Sequence, residues 1–179
     1  MKCIGDKKKF AIEYSYFDES HETEIAMYIN GTNILEYKRN GMVLTTRWDL
    51  DDIVEWLRHF IDNMKDDPYP VEAEGKYAAQ KDISARDFDS DDDAEFDAYY
   101  DKLYNWNLRH RWHTEANGAI LADVYFEQKG SQVEISWNNE DEEGYADYTC
   151  MLGGASIDKS MFCRVVTAFI IDYAEHWFE

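Results

Sequence analysis

The sequence predicts an α+β protein in which antiparallel β-meanders pack against helices. Three observations predict it. Apolar residues alternate with a period of two across residues 9–48 and again after residue 118. The period lengthens to that of a helix after Asp49, after Ser90 and near the C-terminus. Asn-Gly pairs, the strongest short-range hairpin signal, punctuate the first alternating stretch. The expected order is ββββα, a helix, then βββα, with helices packed on antiparallel sheet.

Phe10, Ile12, Tyr14 and Tyr16 alternate with Ala11, Glu13, Ser15 and Phe17, and Ile25, Met27 and Ile29 repeat the pattern. Asn30-Gly31 and Asn40-Gly41 are hairpin turns that delimit strands at Ile34–Arg39 and Met42–Trp48. Asp49 is positioned as an N-cap, with Asp51 and Asp52 in the first turn, where the helix dipole favours acids. Leu50, Ile53, Val54, Leu57, Phe60, Ile61 and Met64 follow at helical spacing, and Trp56 widens the stripe. The helix is expected to end near Lys65, before the breaker Asp66-Asp67-Pro68-Tyr69-Pro70.

Residues 71–89 have no dominant period. A helix is expected from Ser90 to about His113, with Phe96, Tyr99, Tyr100, Leu103 and Trp106 on its buried arc and Asn117-Gly118 ending it. Ile120, Ala122, Val124 and Phe126 then share one strand face. Val133, Ile135 and Trp137 line the return strand after Lys129-Gly130-Ser131. A third strand is expected at Tyr145–Leu152, broken by Gly153-Gly154. Ser156 or Asp158 caps a last helix whose buried side is Val165, Val166, Phe169, Ile170, Tyr173 and Trp177. The organisation reads as residues 1–67 (meander plus helix), 68–118 (linker and acidic helix) and 119–179 (second meander plus helix), packed as one unit.

The 38 acids outnumber the 18 bases, for a formal charge of −20. That charge argues against direct binding of nucleic acid or an anionic membrane, because both repel it. An aromatic content of 16% excludes a disordered acidic tail. The N-terminus has no apolar signal region, and no apolar run approaches membrane-spanning length. Cys3, Cys150 and Cys163 are odd in number and widely spaced, as expected of reduced thiols in a cytoplasmic protein.

The main functional clue is the acidic helix. Between residues 87 and 101 the acids are Asp87, Asp89, Asp91, Asp92, Asp93, Glu95, Asp97 and Asp101, with no lysine or arginine among them. As a helix, residues 91–101 would span ~16 Å and carry one carboxylate per ~2.7 Å. A single DNA strand carries one charge per ~3.4 Å. Asp93, Asp97 and Asp101 fall at i, i+4 and i+8, flanked by Asp91 and Glu95. Like charges at this spacing disfavour a helix by ~0.2–0.5 kcal/mol per pair. Acids at a helix start also complement its dipole, with Lys102, Arg109, His110, Arg111 and His113 toward the other pole, so a solvated helix accounts for the pattern without a partner. Glu140, Asp141, Glu142 and Glu143 form a second acidic run, and Asp18, Glu19, Glu22 and Glu24 a third. Aromatics beside these acids, Tyr99, Tyr104 and Tyr145, suit an interface hot spot.

Other constellations carry less. Asp87-x-Asp89-x-Asp91-x-Asp93 starts like a calcium loop but has Asp92 and Ala98 where an EF-hand needs Gly and Glu. His110 and His113, with Glu115 nearby, have ligand-like spacing without an HExxH or paired-cysteine context. Gly153-Gly154-Ala155-Ser156 lacks the spacing and lysine of a phosphate loop. No nucleophile motif is present, so no catalytic residue and no cofactor are expected.

Trp106–Trp112, Leu121–Phe126 and Val133–Trp137 resemble segments of uncharacterised bacterial proteins, a likeness that implies no activity. In size, charge and acidic runs the chain is similar to the small acidic inhibitors of phages and mobile elements, including anti-CRISPR proteins and DNA mimics. That resemblance implies a basic nucleic-acid-binding partner such as a Cas nuclease. The expected function is therefore a non-enzymatic inhibitor that binds such an enzyme by nucleic-acid mimicry. Its partner-binding residues would be Asp91, Asp93, Glu95, Asp97, Asp101, Glu140, Asp141, Glu142 and Glu143. The alternatives are an immunity protein for a basic nuclease toxin, and a metal-dependent hydrolase built on His110 and His113.

Overall fold

The computed structural model describes residues 1–15, 22–112, 122–139 and 147–177. They form an α+β fold of two antiparallel sheets and four helices. The first sheet contains β1 (Lys2–Asp6), β2 (Phe10–Tyr14), β3 (Glu22–Ile29), β4 (Thr32–Asn33), β5 (Glu36–Arg39) and β6 (Met42–Asp49). It is completed from the far end of the chain by β9 (Asp147–Tyr148), giving the order β1-β2-β3-β6-β5-β9 with β4 beside β3. The second sheet contains β7 (Asp123–Lys129), β8 (Gln132–Asn138) and β10 (Leu152–Asp158), in the order β10-β8-β7. The helices are α1 (Leu50–Asp62), α2 (Ala78–Ala85), α3 (Asp93–His110) and α4 (Lys159–Trp177).

Both Asn-Gly hairpins form as expected. Asn30 and Gly31 have φ of 51° and 87°, and Asn40 and Gly41 have 53° and 75°, values that a primed turn requires. The expected strand at Ile34–Arg39 is divided, because Asn33 Oδ1 accepts from both Met27 N and Leu35 N and turns the chain there. Ile34 and Leu35 are buried at that jog. The edge strand β1 was not legible, because it is half-exposed and leads into three lysines. Tyr16 and Phe17 lie outside the described residues.

Asp49 caps α1 as expected, accepting from Asp51 N at 3.0 Å, and Leu50, Ile53, Leu57 and Phe60 are buried. Helix α2 occupies the stretch with no dominant period. Its first turn is capped from another element: Glu134 Oε1 accepts from Ala78 N at 2.9 Å and Ser136 Oγ from Ala79 N at 3.1 Å.

Two boundaries differ from expectation. Helix α3 stops at His110 instead of near His113, because Arg111 adopts extended backbone and bridges Tyr125, and Trp112 N donates to Val124 O at 3.0 Å. Asn117-Gly118 lies outside the described residues. Gly153-Gly154 does not break a strand but sits inside β10; of the expected strand Tyr145–Leu152, Asp147–Tyr148 form β9 and Leu152 opens β10, while Tyr145 lies outside the described residues. The glycines are required by close packing. A Cβ on Gly153 would stand 2.5 Å from Trp137 Cζ2, and one on Gly154 would stand 2.6 Å from Tyr77 Cγ.

Asp158 starts α4, accepting from Met161 N at 3.0 Å. Phe162, Val165, Val166, Phe169 and Tyr173 are buried and Ile170 is partly so. Helix α4 packs on β1 and β2 of one sheet and on β8 and β10 of the other. One apolar cluster consequently runs from Phe10 to Tyr173 across both sheets. A smaller cluster, centred on Trp106 and Tyr125, holds α2 and α3 against β7.

Candidate functional site

Helix α3 brings the acidic stripe to the surface. Asp92 caps it, accepting from Ala94 N at 2.9 Å and Glu95 N at 3.4 Å. Asp91, Asp93, Glu95, Asp97 and Asp101 are all exposed. Among the described residues none of the five pairs with a lysine or arginine. The one side-chain bond of the set is from Ser90 Oγ to Glu95 Oε2 at 2.7 Å. The charges of Asp93, Asp97 and Asp101 are therefore directed to solvent and left unbalanced locally. Asp87 and Asp89 are also outside any buried arrangement, and Asp89 Oδ1 accepts only from Ser90 N. Glu140, Asp141, Glu142 and Glu143 lie outside the described residues, as do Asp18 and Glu19. Glu24 is exposed.

The expected aromatic arc is buried only in its second half. Leu103 and Trp106 are buried, Tyr99 and Tyr100 are half-buried, and Phe96 is exposed. The first turns of α3 are held by the loop that precedes them. Tyr99 stacks on Phe88 at 3.8 Å, and the Tyr100 hydroxyl donates to the carbonyls of Arg86 and Phe88. The acidic end of the helix thus stands off the sheet, which leaves its carboxylates accessible over a wide arc.

The other end of α3 is anchored by buried polar groups that the sequence did not reveal. Asp82, on α2, accepts from Arg86 at 2.8 and 3.2 Å, from Asn107 Nδ2 at 3.0 Å and from the Tyr125 hydroxyl at 2.9 Å. Burial pushes its carboxyl up, but the bonds from Asn107, Arg86 and Tyr125 outweigh burial and hold it below the usual carboxylate range. Burial and the neighbouring Asp82 charge push the Tyr125 hydroxyl upward. Asp67 accepts from Arg109 Nη2 at 2.9 Å and faces His110 Nε2 at 3.2 Å, and these bonds likewise overcome burial and lower its carboxyl.

His110 is a core residue. It is buried, stacks on Trp106 at 4.2 Å, and has Nδ1 2.8 Å from Phe126 O. Both ring nitrogens are engaged by protein groups, which weighs against the alternative of a metal-dependent hydrolase built on it. His113 and Glu115 lie outside the described residues. Among the described residues, no three His, Cys, Asp or Glu side chains gather as metal ligands do. Trp106 and Trp112 are buried and Trp137 is partly buried, while Tyr104 is 64% exposed.

A groove of about 700 Å³ separates α1 from the C-terminal half of α3. Trp56, Phe60, Met64 and Leu108 supply its apolar surface, with Asp52 and Glu55 on the α1 wall. His59, Lys65 and Arg109 also line it, the last held by Asp67. Leu108 had no role in the sequence reading. Its signal was an apolar residue off the buried arc and in line with the acids.

No family model matches the chain, and no curated protein matches it in sequence. In three dimensions the chain is similar to CdiI from Burkholderia dolosa AUO158. The TM-score is 0.51 at 11% identity, over 96% of this chain and 99% of that one. The two proteins share a fold throughout their length. No helix among the described residues is long and apolar enough to cross a membrane.

Proposed function

We propose that the protein is a non-enzymatic inhibitor of the immunity type, which neutralises a basic nuclease toxin by occupying the surface where the nuclease holds its polynucleotide. The observation that carries this reading is the exposed row Asp93, Asp97 and Asp101, uncompensated by lysine or arginine on a helix that stands off the sheet. The likeness to CdiI, an immunity protein, favours a toxin as the partner. The Cas-effector reading rests on charge alone and yields to it.

The mechanism is electrostatic. Successive carboxylates of the stripe are four residues, ~6 Å, apart along the helix, and the flanking Asp91, Asp92 and Glu95 raise the density of negative charge toward the one per ~3.4 Å of a polynucleotide strand. A net charge of −20 raises the rate of encounter with a cationic partner, and added salt reduces it. Inhibition then needs no reacting group, only residence over the channel. Asp91 and Glu95 flank the row, and Glu140, Asp141, Glu142 and Glu143 are assigned to the same interface as a second anionic contact.

Co-expression tests the reading. A toxin encoded in a reading frame adjacent to this gene should arrest growth, and the wild-type protein should restore it. The triple variant Asp93→Lys, Asp97→Lys, Asp101→Lys should fail to restore growth while its far-UV circular dichroism matches wild type. Failure of the wild-type protein to protect removes the immunity reading. Full protection by the triple variant removes the stripe as the contact.

A further inference from the structure

The acidic stripe leads into the groove. Leu108 lies seven residues beyond Asp101 and eleven beyond Asp97, so all three fall within about 20° of one line along α3. Leu108 is 43% exposed although it is aliphatic, and it forms the groove wall opposite Trp56. Tyr104, 64% exposed, sits one turn earlier beside the same line. Carboxylates alone would serve a partner recognised only through charge. An apolar slot at the end of the row serves a polypeptide that carries an apolar side chain next to its cations. A second copy of this chain does not fit that description, because each copy carries −20.

We infer that the α1–α3 groove is the anchor pocket of the interface, taking an aromatic or aliphatic side chain from a basic polypeptide whose lysines and arginines lie along Asp93, Asp97 and Asp101. The inference rests on the inhibitor reading and adds the class of side chain that fixes the partner in register. The stripe governs encounter and its salt dependence. The groove governs residence, since burying an apolar side chain is insensitive to screening. Leu108 and Asp101 are ~10 Å apart along the axis. In an extended partner that distance is about three residues.

Peptides with this spacing test it directly. The probe is acetyl-Trp-Gly-Ser-Lys-Arg-Lys-Arg-amide, and the control has glycine in place of tryptophan. Fluorescence anisotropy of labelled peptides should give at least ~10-fold tighter binding for the tryptophan peptide, as burial of an aromatic side chain predicts. Leu108→Asp should remove that advantage, and Leu108→Ser, which adds no charge, should remove it and leave the glycine peptide's affinity unchanged. Asp97→Asn with Asp101→Asn should weaken both peptides equally. Leu108 is outside the apolar clusters, so its replacement should leave the circular dichroism unaltered, and Leu108→Ser provides an uncharged second variant. Equal affinities for the two peptides, or an advantage that survives both Leu108 variants, overturn the inference. So does a wild-type dimer that Leu108→Asp dissociates, because the groove would then belong to a second copy. Peptide affinity is read without any toxin, so the groove and the immunity reading fail independently.

Discussion

The protein treats its buried acids and its surface acids in opposite ways. Asp82 is buried and accepts bonds from a guanidinium, an amide and a phenol. Glu134, also buried, accepts from Lys129 Nζ at 2.6 Å and from the first amide of α2. On α3, one helix away, Asp93, Asp97 and Asp101 have no such partners and face solvent. Burial forces pairing, because an isolated charge in a low dielectric is too costly to keep. Water screens exposed charges cheaply, so an uncompensated row survives at a modest cost. Asp82 and Glu134 thus draw Arg86 and Lys129 to themselves, while the acidic end of α3 draws none among the described residues.

Four measurements break or sharpen that contrast. The largest effect is expected from Asp82→Ala, which strands Arg86, Asn107 and Tyr125. It should cost ~3–5 kcal/mol in urea unfolding, as removal of one partner from a buried charged network does. A loss under ~1 kcal/mol would mean that the network is peripheral to stability.

The pH dependence comes next. The folded-state carboxyls of Asp82, Asp67 and Asp172, the last on α4 and accepting from Lys2 and the Tyr14 hydroxyl, are lowered, so their contribution is complete above the unfolded carboxylate range. It is lost as pH falls from ~4 through their depressed folded values. Wild-type stability should therefore drop in acid below about pH 4, and Asp82→Asn should flatten that limb. An equally steep limb in the variant would assign it to the other carboxyls.

The third effect is smaller and of opposite sign. Asp93→Asn, Asp97→Asn and Asp101→Asn relieve two like-charge pairs of ~0.2–0.5 kcal/mol each. The melting temperature should rise slightly at low salt while binding to a basic partner weakens. A fall in stability would show that the row supports the helix instead. The smallest effect belongs to Asp123, whose carboxyl is raised by burial despite Arg111 at 3.5 Å. A raised carboxyl opposes folding once it ionises, so Asp123→Asn should leave stability at neutral pH unchanged or slightly higher. Thermal melts at pH 7 decide it, and marked destabilisation would place Asp123 with Asp82 as a required anion.

Much of the fold was legible because its signals are local. Asn30-Gly31 and Asn40-Gly41 adopt left-handed backbone readily and so announce their turns. Asp49 caps the helix that follows it, with the first bond made inside a few residues of chain. The acidic stripe was legible for the same reason, since spacing of four places its members on one face. Helix α2 was not legible, because half of its cap comes from Glu134 and Ser136, more than fifty residues away. The glycines of β10 read as a breaker, because only Trp137 and Tyr77 explain why no Cβ fits. The burial of His110 was not legible, because Phe126 O and Asp67, which occupy its ring, are brought to it only by folding.

By itself the sequence determined most of the strands and helices, the hairpin turns, and a net charge of −20. Each follows from neighbours within a few residues or from a sum over the whole chain. Tertiary structure alone decided which acids are silenced inside and which stand free. It also decided that the charged row ends in an apolar groove, because α1 and α3 meet there from positions some fifty residues apart. Burial and proximity arise between distant segments, and no local pattern records them.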